Sequence, residues 1–143
     1  QAEEFIDYES LYLSACVGED ETVEAAEALC ASAVKAAMDS KAALIVALTE
    51  TGSTARMLAK YRPEAQILAI TASDSTSRQM LMLRGVCSML TASFVGTDAV
   101  IKKALTAAKE QGMVKSGDIA VCVHGTKEDM PGHTNLLKLT PVP

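Results

Sequence analysis

Tryptophan is missing from this sequence, and three tyrosines and two phenylalanines are its only aromatic residues. A core must then come from Ala, Val, Leu, Ile and Met, a set that suits α/β layers better than a β-sandwich. Basic charge is scarce. Thirteen Lys and Arg stand against 18 Asp and Glu, for a formal charge of −5. Nothing clusters into the basic face that nucleic acid requires. No apolar run approaches the roughly 18 residues of a membrane span. No basic-then-apolar leader opens the chain, so no signal peptide is read from it.

Cysteine is sparse too. Cys16, Cys30, Cys87 and Cys122 form no C-x-x-C pair. Cys122 and His124 share a strand face, but no second pair completes a zinc site, and no metal ligands are assigned. The expectation is four reduced, buried thiols in a cytoplasmic protein.

What is present is apolar and periodic. The 143 residues are 49% hydrophobic, enough for one domain with its own core. Residues 1–15 read as a helix with Phe5, Tyr8 and Tyr12 along one side. This stripe packs either on the same domain or on a neighbour outside the chain, and both readings stay open. The chain begins mid-pattern without Met, so it is expected to be cut from something longer. Asp20 should cap the next helix, with Glu21 and Glu24 near its positive end. Val23, Ala26, Cys30, Ala33, Val34 and Ala37 make that helix's apolar stripe.

Four short apolar runs follow: "AALIVAL" (Ala42–Leu48), "QILAI" (Gln66–Ile70), "VCSML" (Val86–Leu90) and "IAVCV" (Ile119–Val123). Such runs mark strands buried on both faces. Helices are expected between them, over Thr54–Tyr61, Ser75–Arg84 and a segment capped by Thr97 with Val100, Ile101, Ala104, Leu105 and Ala108 inward. Asp74 lies beyond the second strand and is expected to be an N-cap rather than a proton acceptor. The β-α-β rhythm with right-handed crossovers dictates a parallel sheet covered on both faces. "LLKLT" (Leu136–Thr140) follows a loop too short for a parallel crossover, so it should run antiparallel at an edge. The fold class is a three-layer, doubly wound α/β fold with a five-stranded mixed sheet. Met57, Met80, Met82 and Met89 read as core filler, and Lys102 and Lys103 as a solvated helix face.

The first strand runs into Thr49-Glu50-Thr51-Gly52-Ser53-Thr54, where a helix begins. Ligands of open α/β sheets bind beyond the carboxyl ends of the strands. A helix start there offers backbone N–H groups and a positive dipole end to an anion. Gly52 permits a close backbone approach, and four hydroxyls surround it. A phosphomonoester suits the loop, and so does a plain helix cap. Glu50 argues against a phosphate. The loop after the fourth strand, "HGTKEDMPGHTN", carries Gly125, Lys127, Gly132, His133 and Thr134. If strands one and four are neighbours, the two loops face each other across a switch point. Arg56 and Arg62 are left outside the site.

The stretch "ALIVALTETGSTARMLAKYRPEAQILAIT" resembles the opening of the pyruvate kinase C-terminal domain. "TSRQMLMLRGV" and "GDIAVCVHG…GHTNLLKLTPVP" are similar to its middle and end, in order over residues 20–143. The resemblance implies a helix over residues 1–18 that links to a catalytic barrel, then an effector domain over residues 19–143. It implies a cytoplasmic, homotetrameric parent that transfers phosphate from phosphoenolpyruvate to ADP with Mg²⁺ and K⁺. The residues for that chemistry lie in the barrel, so this chain carries no catalytic residue. The family's effector loops fall on Thr49–Thr54 and on about Gly125–Thr134, with a sugar phosphate as ligand. Members that take a bisphosphate place an Arg where this sequence has Val100, so a monophosphate such as glucose 6-phosphate is favoured. The alternative is a structural and oligomerisation module that binds no effector.

Overall fold

A computed structural model describes residues 2–18, 21–125 and 134–143. The elements in order are a 3-10 turn (Ala2–Phe5), α1 (Tyr8–Ala15), α2 (Ala25–Ser40), β1 (Leu44–Leu48), α3 (Ser53–Lys60), β2 (Gln66–Thr71), α4 (Asp74–Met80), β3 (Val86–Leu90), α5 (Thr97–Glu110), β4 (Ile119–Gly125) and β5 (Thr134–Pro141). The sheet order is β3-β2-β1-β4-β5. β1 to β4 are mutually parallel where they pair, and β5 runs antiparallel against β4. The doubly wound five-stranded sheet expected from the sequence is the one observed.

Alternation along the strands divides the core in two. Ile45, Ala47, Ile67, Ala69, Val121 and Val123 meet Cys30, Val34, Ala55 and Leu58 on one side. Leu44, Val46, Leu68, Ile70, Ala120 and Cys122 meet Ile101, Ala104, Leu105 and Ala108 of α5 on the other. This is what right-handed crossovers require: α3 and α4 step the chain one way along one face, and α5 returns across the other. Each fully buried Leu or Ile contributes about 1.5–3 kcal/mol through apolar transfer.

Several expectations are corrected. The first helix is broken: the 3-10 turn ends at Phe5, and Asp7 starts α1 by accepting the Ser10 N–H at 3.1 Å. Its aromatic stripe divides accordingly. Phe5 is 88% exposed, while the Tyr12 ring packs on Tyr61 with centroids 5.7 Å apart. The helix therefore docks on its own domain through Tyr12. α2 begins only at Ala25, with Glu24 at its N-cap; Asp20 lies outside the described residues. Ser73, not Asp74, caps α4 by accepting the Thr76 N–H at 3.3 Å, because its extended backbone aims the hydroxyl at the helix while Asp74 is already helical. Asp74 pairs with Arg78 instead. α4 ends at Met80, and Leu81 and Met82 are exposed surface. β3 is an edge strand with only Val86 fully buried. Cys87 on this strand is accordingly exposed, Cys16 at the end of α1 is half-buried, and only Cys30 and Cys122 are buried thiols. Gly96 in a left-handed conformation (φ 73°) precedes α5, so Thr97 is its first residue rather than its cap.

Candidate functional site

β1 delivers Thr49 to the carboxyl edge of the sheet, and the loop to α3 turns on Gly52. Its φ of 84° is left-handed, a conformation that costs other residues about 1 kcal/mol. Thr49 makes the turn by accepting the Gly52 N–H on its hydroxyl at 2.9 Å. α4 braces the loop from one side. The Thr76 hydroxyl donates to the Glu50 carbonyl at 3.0 Å, and a Cβ at Gly52 would stand 3.5 Å from both Thr76 and Met80.

The other side is held by the start of β5. The Thr54 and Thr134 hydroxyls are 2.9 Å apart, both buried, and join segments 80 residues apart in sequence. The start of α3 thus meets the start of β5, since β1 and β4 are neighbours and β5 pairs with β4. Behind Thr54, the Cys30 thiol lies 4.0 Å from the Thr54 carbonyl.

The four hydroxyls have different surroundings. Thr49 and Thr54 are buried and bonded within the protein. Thr51 and Ser53 reach the surface at the first turn of α3, where the Thr51 hydroxyl donates to Ser53 at 3.1 Å. Glu50 is exposed beside them. Gly125 ends β4, half-buried. Lys127, Gly132 and His133 lie outside the described residues. Sequence reasoning missed the bracing by Thr76 and Met80. Their spacing to the loop carries no motif, and only the packing of α4 against β2 brings them there.

On the opposite face, His124 and Gly125 line a groove of about 550 Å³ with the first turn of α5 and Leu136. His124 is 9% exposed, and its Nδ1 lies 3.0 Å from the Gly125 carbonyl. Lys138 pairs with Asp98 at 3.0 Å at the same end of the sheet. Val100, where a cation would be needed for a second phosphate, packs half-buried against the α5-side core.

At the far end of α3 the chemistry is aromatic and ionic. The Tyr61 hydroxyl donates to the Glu27 carboxylate at 3.2 Å, and Lys60 forms an ion pair with the same oxygen. These bonds from Lys60 and Tyr61 hold the Glu27 carboxyl below its ordinary value. Burial, reinforced by the Glu27 bond, pushes the Tyr61 phenol up to about 12. Burial also pushes the Cys30 thiol to about 12 and the Cys122 thiol to about 11. Among the described residues no three His, Cys, Asp or Glu side chains converge as metal ligands. Those described residues make no ligand set that fits Mg²⁺.

The family model for the pyruvate kinase α/β domain matches residues 27–140. This chain belongs to the pyruvate kinase C-terminal domain family. The pyruvate kinase of Eimeria tenella is 46% identical over 97% of this chain and 26% of its own length. That of Dictyostelium discoideum is 39% identical over 95% of this chain and 27% of its own. A Cryptosporidium parvum pyruvate kinase solved in complex with ADP superimposes with a TM-score of 0.91 at 42% identity, over 99% of this chain and 28% of that one. The chain thus spans about a quarter of the length of these three pyruvate kinases.

Proposed function

We propose that this domain is the effector-binding part of a pyruvate kinase, and that its ligand is a phosphomonoester seated at the start of α3. The parent would transfer phosphate from phosphoenolpyruvate to ADP, using Mg²⁺ and K⁺ held by residues outside this chain. The observation that carries the reading is the bracing of the β1–α3 loop. α4 braces it on one side and Thr134 on the other, while the Thr51 and Ser53 hydroxyls face solvent at the positive end of the α3 dipole. Preorganised donors of this kind bind an anion without first ordering a loop. Val100 supports a monophosphate such as glucose 6-phosphate over a bisphosphate, because an aliphatic side chain offers a second phosphate nothing. The exposed edge of β5, with Leu136 and Leu139 partly bare, suits a contact between subunits of a homotetramer.

A second reading has one observation in its favour. Glu50 places a carboxylate beside the seat, which suits a module that keeps the fold and the subunit contact but binds no effector. Thermal melting with glucose 6-phosphate, fructose 1,6-bisphosphate and inorganic phosphate separates the two. A ligand at roughly 100 times its dissociation constant stabilises by about 2.7 kcal/mol. A shift with glucose 6-phosphate that disappears in Thr51→Val/Ser53→Ala supports the effector reading. No shift with any of the three gives the structural reading.

A further inference from the structure

We propose that α3 couples its two ends, so that a phosphorylated ligand at its N-terminus and the docking of α1 at its C-terminus are thermodynamically linked. The ligand half of this inference rests on the phosphate-seat reading above.

α3 is eight residues long, Ser53–Lys60, or about 12 Å at the rise of an α-helix. It contains neither Gly nor Pro and has no joint at which to bend. Its inner face, Thr54, Ala55 and Leu58, is buried. A close-packed interior does not absorb displacement gradually, so a shift at one end of such a rod appears at the other. The N-terminal end is fixed by the Thr54–Thr134 hydroxyl pair and by Gly52 against Thr76 and Met80.

The C-terminal end holds α1. Tyr61 caps α3, and the Tyr12 ring leans on it at 5.7 Å, tilted by 43°. The Tyr12 hydroxyl donates to the Ala31 carbonyl of α2 at 3.1 Å. Lys60 lies 5.4 Å over the Tyr61 ring and shares Glu27 with its hydroxyl. α1 has little else. It buries no residue completely and Leu13 is 64% exposed; Ala15 and Cys16 add to the contact, and half-buried Tyr8 lines a cleft with the end of α2 and Pro63–Ala65. A short helix with no fully buried side chain sits toward the low-stability end of a fold and opens locally before the core. Docked and released α1 are therefore the two states that the position of Tyr61 biases, and any ligand that moves α3 shifts their balance.

The test is hydrogen exchange of the α1 amides in the 143-residue chain, read beside binding of glucose 6-phosphate and inorganic phosphate. Saturating glucose 6-phosphate is expected to slow α1 exchange by about fivefold or more, the lower end of typical coupling. By reciprocity Tyr12→Ala weakens its binding by the same factor, while Leu13→Ala leaves both unchanged. A ligand-free arm addresses the rod alone: Thr134→Val releases the α3 start and speeds α1 exchange, whereas Lys35→Ala does not. Binding with unchanged α1 exchange and undiminished affinity in Tyr12→Ala overturns the linkage and leaves the seat standing. Absence of binding by both probes overturns the seat and the ligand half together. Unchanged α1 exchange in Thr134→Val overturns the rod itself.

Discussion

The two faces of the sheet are covered by different means. α2, α3 and α4 crowd one face, where Ala33, Ala37, Ala47, Ala55 and Ala69 let the layers approach closely. α5 covers the other face, and larger residues, Leu44, Leu48, Leu68, Ile70 and Leu105, reach up to it. Five strands span about 19 Å at their usual spacing, while one helix with its side chains covers about 10–12 Å. The α5 face therefore leaves Leu136 partly bare at the β5 flank, with Lys138 held off by Asp98. The candidate phosphate seat lies on the crowded side, where neighbouring helices hold its loop still. The bare flank is where another surface has room to pack.

Mutations sharpen this contrast in descending order. Leu58→Ala on the crowded face removes a completely buried side chain and should cost about 3–5 kcal/mol in denaturant unfolding, since three packed helices cannot collapse into the hole. Leu105→Ala should cost about 2–3 kcal/mol, because a lone helix can settle closer. Equal losses would refute the difference between the faces. Thr54→Val leaves the buried Thr134 hydroxyl without its partner and should cost about 1–2 kcal/mol.

A smaller effect depends on pH. The folded-state values of Cys30, Cys122, Tyr12 and Tyr61 are all raised, from 9.0 for the thiols and 10.0 for the phenols. Groups raised in this way stabilise the fold below their unfolded values, and that contribution is lost as pH climbs through the folded ones. Urea midpoints should therefore fall as pH rises above 9, and fall less steeply in Tyr61→Phe. A thiol reagent at neutral pH should label Cys87 at once and reach Cys30 and Cys122 only on unfolding, one on each face. Lys41→Gly should raise stability by about 0.5–1 kcal/mol. Lys41 closes α2 in a left-handed conformation, φ 51°, that glycine adopts without strain.

Much of the fold was legible because its strands are short and continuously apolar. Val86–Leu90 came out with both ends correct, while the adjacency of β1 and β4 was only a condition in the sequence reading and is observed in the sheet. Misreadings came where apolar residues are not buried. Leu81 and Met82 extend the α4 pattern but lie on the surface, and Phe5 continues a stripe that the backbone breaks at Ile6–Asp7. The Thr49–Thr54 loop was visible as a strand-to-helix junction. That Thr49 and Thr54 are used inside the protein was not, because hydroxyl partners as distant as Thr134 leave no trace in local spacing.

The Tyr12–Tyr61 contact has an optical consequence. Without tryptophan, the near-ultraviolet emission of this chain comes from three tyrosines, and two of them touch where α1 meets α3. Both phenols are hydrogen-bonded, one to a carbonyl and one to a carboxylate, and such bonds shorten the excited-state lifetime of tyrosine. Release of α1 would part the rings and free one of the phenols, brightening the emission. The molecule thus reports on the docking of α1 without any added dye.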